Sequence, residues 1–253
     1  MLSKKELQRY SSHLVLEEIG EEGQAKLKNA KILIIGVGGL GSPSILYLAA
    51  AGIGTLGLVD FDTVEENNLQ RQIIHSVKDL KKSKLESAKE SILNLNPEVK
   101  LNLHNTRINE KNAEIVKDYD IIIDCTDNLQ VRYSINDACL KFNKPLIYGG
   151  ISKFEGQVSV FNYKNGPCFR CFIQEDKRSI LNCNETGVLS SIPGVIGTIE
   201  ATEALKIILN KGEILSGRLL FYEALNSKFR EIKINKREDC VCNKINLTGD
   251  AGI

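Results

Sequence analysis

The sequence predicts an α/β fold in which a mostly parallel sheet, covered by helices on both faces, is continued by antiparallel strands. From Lys31 to about Gly150, short β-rich apolar runs alternate with helical stretches, the pattern of parallel strands joined by crossover helices. Beyond Gly150 the runs alternate by twos, as half-exposed antiparallel strands do. Residues 1–30 read as an N-terminal helical segment. The parallel half then runs KILIIG, a helix from Leu40 to Ala51, TLGLVD, a helix from Lys84 to Leu95, VKLNLH, a helical stretch from Ala113 to Lys117, DIIIDC, a helix from Val131 to Lys141, and PLIYGG. After it come GQVSVFNY, a long helix over about Ile196 to Leu209, GRLLFYEA and KFREIKIN. With no internal repeat, low-complexity tract or linker between the halves, residues 1–253 read as a single domain, divided at about residue 150.

Composition narrows the partners. The 253 residues carry 33 basic and 32 acidic side chains, a formal net charge of +1, so no broad field attracts nucleic acid or an anionic membrane. A 42% hydrophobic content suits a packed core, and no apolar run approaches the roughly 20 residues needed to cross a bilayer. The start, MLSKKELQRY, lacks the apolar stretch of a signal peptide, so a cytoplasmic location is expected. Seven cysteines, an odd number, then argue for metal or thiol chemistry over a disulfide framework.

Strand KILIIG runs into Gly36-Val37-Gly38-Gly39-Leu40-Gly41, a G-x-G-x-x-G turn into a helix. Glycines there let backbone N–H groups approach a phosphate at the positive end of the helix. Asp60 ends the next strand, 19 residues beyond Gly41, where a carboxylate can accept from ribose hydroxyls. The unit is Rossmann-like and points to an adenine nucleotide; alone it favours an NAD-dependent dehydrogenase.

The residues that follow favour ATP. Asp62 is followed by Asn67-Asn68-Leu69-Gln70-Arg71-Gln72, in which Asn68, Arg71 and Gln72 can address a triphosphate. Lys84 opens the next helix. Two cations suit the negative charge that develops when an α-phosphorus is attacked and pyrophosphate leaves, whereas hydride transfer needs neither. Taken alone, Lys84 closes the charged run from Lys78 and reads as a solvated face. The fourth strand ends in Asp124-Cys125-Thr126-Asp127-Asn128, beyond the carboxyl ends of the strands where ligands of open sheets bind. Asp127 can hold the Mg²⁺ that accompanies ATP, and Asp127 or Asn128 can equally cap the following helix.

Cys168-Phe169-Arg170-Cys171 reads as a C-x-x-C hairpin, and Cys240-Val241-Cys242 follows near the C-terminus with a tighter C-x-C spacing. Two close thiolate pairs match a structural Zn²⁺ site that ties the tail to the second half; an empty or redox-active site is the alternative. Cys183 stands in a polar stretch, where it is either an exposed nucleophile or a bystander. Cys125 and Cys139 lie in apolar strand and helix settings and are expected to be buried.

Taken together, RYS, GVGGLGS, VDFDTVEENNLQRQ, Lys84, DCTDN, FEGQVSVF, PCFRC, CNETGVLSSIPGVIGTIEA and the terminal cysteines occur in one order across Leu7 to Cys242. This set resembles the ThiF/MoeB adenylyltransferases, bacterial relatives of the ubiquitin-activating enzymes. The resemblance implies a homodimer that binds ATP·Mg²⁺ and adenylates the C-terminal glycine of a small ubiquitin-like sulfur carrier ending in Gly-Gly, with a cysteine desulfurase or another sulfur donor as a further partner. It implies that Gly39 lies in the phosphate loop, Asp60 holds the ribose, and Asn68 and Arg71 contact phosphates. Lys84 would stabilise the transition state, Asp127 organise Mg²⁺, and Cys183 match a crossover-loop cysteine used in sulfur transfer by one branch.

Two features depart from the pattern: the C-x-C pair, and Ser12 in Arg9-Tyr10-Ser11-Ser12 where relatives carry a second arginine that reaches the partner subunit's triphosphate. Arg9 and His13 are the nearby groups that would compensate. Adenylation of a peptide carboxylate, or a nucleotide-binding scaffold with weakened catalysis, are the alternatives. An NAD dehydrogenase is disfavoured, because none of His13, His75 and His104 is placed for hydride chemistry.

Overall fold

The computed structural model describes residues 2–174 and 187–244. Eight strands form one sheet: β1 (Lys31–Ile35), β2 (Thr55–Asp60), β3 (Lys100–Asn105), β4 (Ile121–Asp124), β5 (Leu146–Ser152), β6 (Glu155–Phe161), β7 (Arg218–Glu223) and β8 (Lys228–Lys233). Their order is β3-β2-β1-β4-β5-β6-β7-β8. The first five are parallel and the last four pair antiparallel, β5 belonging to both sets. Around the sheet lie α1 (Lys4–Arg9), α2 (Ser11–Leu14), α3 (Gly20–Asn29), α4 (Gly41–Ala51), α5 (Lys84–Leu95), α6 (Leu129–Lys141), α7 (Phe169–Phe172) and α8 (Ile192–Leu209).

The central strands are runs of isoleucine and leucine because both their faces are covered. Side chains alternate across a strand, so Ile32 and Ile34 of β1 enter one core with Ile45, Leu48 and Ile196, while Leu33 and Ile35 enter another with Val131, Tyr133 and Phe161. That second core is closed by aromatic contacts among Tyr148, Phe161, Phe169 and Phe172.

The antiparallel strands are less uniform than the two-residue alternation predicts. β6 is buried along most of its length, since α8 lies on one side of it and the aromatic cluster on the other. β8 is exposed at every residue, and its charged KFREIK sequence suits an edge that must not pair further.

Helix boundaries shift in ways the sequence explains. α8 starts at Ile192 instead of Ile196, because Pro193 is well tolerated in a first turn, where its φ is already helical and its missing N–H has no partner to lose. α6 starts at Leu129 with the Asn128 side chain accepting from the Val131 N–H. The stretch Ala113–Asp118 forms a 3-10 helix. Among the described residues, no helix is long and apolar enough to cross a membrane.

The strand order reverses between β1 and β4. The chain leaves β1 toward α4 and β2 on one side and leaves β4 toward α6 and β5 on the other, which opens a crevice beyond their carboxyl ends. Register pairs Ile35 with Asp124 at its floor.

Candidate nucleotide site and cysteine cluster

The glycine loop divides into residues the fold requires and residues it leaves open. Gly36 has φ +100°, and a Cβ there would meet the Cys125 carbonyl oxygen at 2.8 Å. A Cβ on Gly41 would lie 2.1 Å from the Gly36 carbonyl oxygen, so both positions are demanded by the turn itself. At Gly38, by contrast, the nearest atom to an added Cβ is Gln72 Nε2 at 3.7 Å, and at Gly39 the neighbours are Pro193 and the Arg71 stem. The backbone N–H groups of Gly38, Gly39, Leu40 and Gly41 donate to no protein group among the described residues. These four free donors at the start of α4, of which Gly38 and Gly39 are partly exposed, are suited to phosphate oxygens.

The polar cluster predicted behind the loop packs onto it. Arg71 anchors one guanidinium nitrogen on the Asn67 carbonyl at 3.0 Å, and its Cγ lies 3.6 Å from where a Cβ on Gly39 would stand. Gln72 is buried, and its Oε1 has no hydrogen-bond partner among the described residues. Turned over, the same amide presents its NH₂ to an anion. The Asn68 carbonyl oxygen accepts from the Arg71 and Gln72 N–H groups, and its side chain closes the preceding turn with Glu65 and Asn67.

Asp60 is buried at the end of β2, where it accepts from the N–H groups of Val37 at 2.7 Å, Phe61 at 2.8 Å and Asp62 at 2.9 Å. The loop and the second strand are thereby locked together. Lys84 corrects the expectation of a solvated charge run: its side chain is buried and its Nζ lies 2.8 Å from Asp62 Oδ2. Asp127 is exposed beyond β4. Arg9 donates to the Leu95 carbonyl at 2.8 Å and His13 Nδ1 lies 2.9 Å from Gln24 Oε1, so both candidates for replacing an arginine at Ser12 have partners within their own chain.

Three groups at this site escape sequence reading. His75 is buried between the Val37 carbonyl and the Ser87 hydroxyl. Arg132 of α6 lies over the Tyr148 ring, donates to the Thr126 and Gly149 carbonyls and faces Asp124, which holds the turn leading to Asp127. Glu200 is fully buried under the loop, against Ser44 of α4 and the Cys125 thiol, and burial pushes its carboxyl up to about 8. Cys125 is half-buried just beyond β4 instead of inside the strand, and burial pushes its thiol up; Cys139 is buried as expected. Cys183 lies outside the described residues.

Cys168, Cys171, Cys240 and Cys242 converge, with their sulfurs within 4.8 Å of one another and all four residues buried. The C-x-x-C segment is a turn of helix, with the Cys171 N–H on the Cys168 carbonyl, and not a hairpin. The 3-10 turn Val241–Asn243 brings the C-x-C pair to the same point, with Sγ separations of 3.5 Å for Cys168 and Cys240 and 3.6 Å for Cys171 and Cys242. A tetrahedral ion with Zn–S bonds of about 2.3 Å requires sulfurs about 3.8 Å apart, so the donor set fits Zn²⁺ in type and size. The Arg237 N–H, 3.5 Å from Cys171 Sγ, adds an outer hydrogen bond to a thiolate. Metal analysis of protein purified without chelator is expected to give about one zinc per chain, and less than about half would exclude a closed tetrathiolate site.

Fold and site thus define an open-sheet α/β protein with a glycine-rich loop of free N–H groups at its switch point and a cluster of four cysteines among its described residues. Residues 10–243 match the ThiF family, and the chain belongs to it. "Adenylyltransferase and sulfurtransferase MOCS3" from Drosophila yakuba is 44% identical over 247 residues, covering 96% of this chain and 54% of the relative. A Porphyra purpurea protein named "Probable molybdopterin-synthase adenylyltransferase" is 50% identical over 236 residues, covering 92% of this chain and 62% of the relative. The chain therefore spans a little over half the length of these relatives. Among solved structures, E. coli MccB with MccA-N7isoASN superposes with a TM-score of 0.82 at 24% identity, covering 92% of this chain and 74% of that one, a likeness of fold.

Proposed function

We propose that this chain is an adenylyltransferase that uses ATP to activate the C-terminal glycine carboxylate of a small ubiquitin-like sulfur carrier. The observation that carries the proposal is the Arg71 stem placed where a Cβ on Gly39 would meet it, near four loop N–H groups without a protein acceptor among the described residues, with buried Lys84 opening α5. An anion cradle supplied with cations suits a triphosphate undergoing displacement better than a dinucleotide undergoing hydride transfer. The names of the relatives, which are adenylyltransferases, support the same activity.

In the reaction a carboxylate oxygen attacks the α-phosphorus, an O–P bond forms, and the bond from that phosphorus to the bridging oxygen breaks to release pyrophosphate. The loop N–H groups and the α4 dipole hold phosphate oxygens. Arg71 and Lys84 offset the charge that builds on the departing pyrophosphate. Asn68 and Gln72 add neutral contacts from the same turn, and the one acceptor site that three backbone N–H groups leave on Asp60 would serve the ribose. Asp62 and Asp127 are the carboxylates that would hold Mg²⁺, which screens the phosphates when bound; Asn128 positions the turn by capping α6. We further propose that the active form is a homodimer and that Cys183, when sulfur transfer follows, acts after adenylation.

The test is ATP–pyrophosphate exchange with a cognate carrier. Exchange is expected with a carrier ending in Gly-Gly and is expected to vanish when the last glycine is removed. Folded, ATP-binding protein that exchanges no label with the intact carrier would refute adenylation of that substrate, and exchange driven only by a short peptide would move the substrate class to peptides.

A further inference from the structure

Val37 is gripped at both ends. Its N–H donates to Asp60 Oδ2 at 2.7 Å, and its carbonyl lies 3.1 Å from His75 Nε2. A carbonyl only accepts, so Nε2 carries the proton and the imidazole donates it to Val37. The other ring nitrogen, Nδ1, lies 2.8 Å from Ser87 Oγ on α5, the helix that Lys84 opens. His75 is buried, and burial lowers its pKa, which favours the neutral ring that this pattern needs.

The peptide between Val37 and Gly38 is planar, with its C=O and N–H pointing in opposite directions. Holding the Val37 carbonyl against His75 therefore turns the Gly38 N–H to the opposite side. That N–H has no protein acceptor among the described residues. Glycine at position 38 removes the Cβ that would resist rotation of this peptide, so the orientation depends on what grips its ends. Released, the peptide can turn a carbonyl oxygen toward the place a phosphate oxygen occupies.

We propose that His75 is a positioning residue which, through the Val37 carbonyl, aims the Gly38 N–H at the nucleotide phosphates and ties the loop to the helix bearing Lys84. The proposal rests on the reading of the crevice as an ATP site, but not on which carboxylate is adenylated.

Binding of ATP·Mg²⁺ to the full chain, measured by calorimetry without carrier, separates the two. His75→Leu keeps a buried apolar side chain without the donor, whereas His75→Gln places an amide NH₂ near the position of Nε2. A hydrogen bond to a charged phosphate lost or turned to a carbonyl predicts an ATP Kd raised about tenfold or more in His75→Leu. His75→Gln is expected to stay within about threefold of the parent. Parent-like affinity in His75→Leu, or equal weakening in both variants, overturns the proposal. Nitrogen NMR of the parent protein provides a readout independent of folding in the variants: His75 is expected as the Nε2–H tautomer, and an Nδ1–H tautomer overturns the proposal even if ATP binds. Tight ATP binding without exchange would instead defeat the adenylation reading and leave the role of His75 standing.

Discussion

Replacing Lys84 by methionine is expected to lower ATP–pyrophosphate exchange at saturating ATP by about 100-fold or more while leaving the fold in place, on the scale seen when one preorganised donor is removed from a developing charge. Lys84 sits where neither helix stability nor solvation would put it. It occupies the first turn of α5, the positive end of the helix dipole, and its side chain is buried. Its one ion pair among the described residues, 2.8 Å to Asp62, involves a carboxylate that is half exposed to solvent. Such a pair contributes about 1 kcal/mol or less, too little to explain a buried lysine at the wrong end of a helix. Local rules are broken in this way where a site needs the charge.

Methionine keeps the volume of the stem and Asp62 remains solvated, so the melting temperature is expected to move by only a few degrees. Because the charge acts mainly on the departing pyrophosphate, kcat should fall much more than affinity for ATP. Exchange in Lys84→Met at more than about a third of the parent rate would remove Lys84 from the catalytic set.

How far each part of the site can be read from sequence follows from where its partners lie. The places of the glycine loop, Asp60 and Lys84 in the candidate site are legible because each is marked by its own position: a strand end, a helix start, a fixed spacing. The parallel half is legible because its central strands are covered on both faces and so run apolar, as Ile121, Ile122 and Ile123 of β4 show. Burial of Lys84 is not legible, since its covering comes from the chain around Asp62, some twenty residues earlier. The four cysteines suggest a candidate metal site by type, yet the turn of helix at Cys168–Cys171 depends on Phe169 entering the aromatic cluster and on its N–H reaching Asn136 of α6. His75 carries no signal beyond being a histidine, because the Val37 carbonyl and Ser87 that define it are distant in sequence.

Glu200 is the furthest from legible. In IEATEALKIIL it looks like one of two solvent-facing acids on a helix, and only the assembly of α4, α8, β4 and β5 encloses it. Its protonation follows from counting protons. Ser44 Oγ lies 3.0 Å from the Leu40 carbonyl, 2.9 Å from the Gly197 carbonyl and 2.9 Å from Glu200 Oε2. Both carbonyls only accept and the hydroxyl has one proton, so an ionised Glu200 would leave acceptors crowded around a single donor. A neutral Glu200 donates to Ser44, which then donates to a carbonyl. Burial and nearby Asp124 act in the same direction, raising the carboxyl from 4.5 to about 8.

This has a definite sign in stability. Between pH 4.5 and about 8 the folded chain keeps a proton that the unfolded chain releases, so stability falls as pH rises through that window and levels off above it. The full span corresponds to at most about 5 kcal/mol. Glutamine offers the same shape and a permanent NH₂ donor toward Ser44. Glu200→Gln is therefore expected to flatten this part of the pH profile and to be more stable than the parent by about 2 kcal/mol at pH 8.5, with little difference near pH 5. Urea unfolding across that range measures it, and parallel profiles for the two proteins would show that Glu200 does not hold the proton. Since Ser44 lies on α4, whose first turn presents the anion cradle, the same substitution should also preserve ATP binding at alkaline pH, where an ionised Glu200 would otherwise set a negative charge beneath the phosphates.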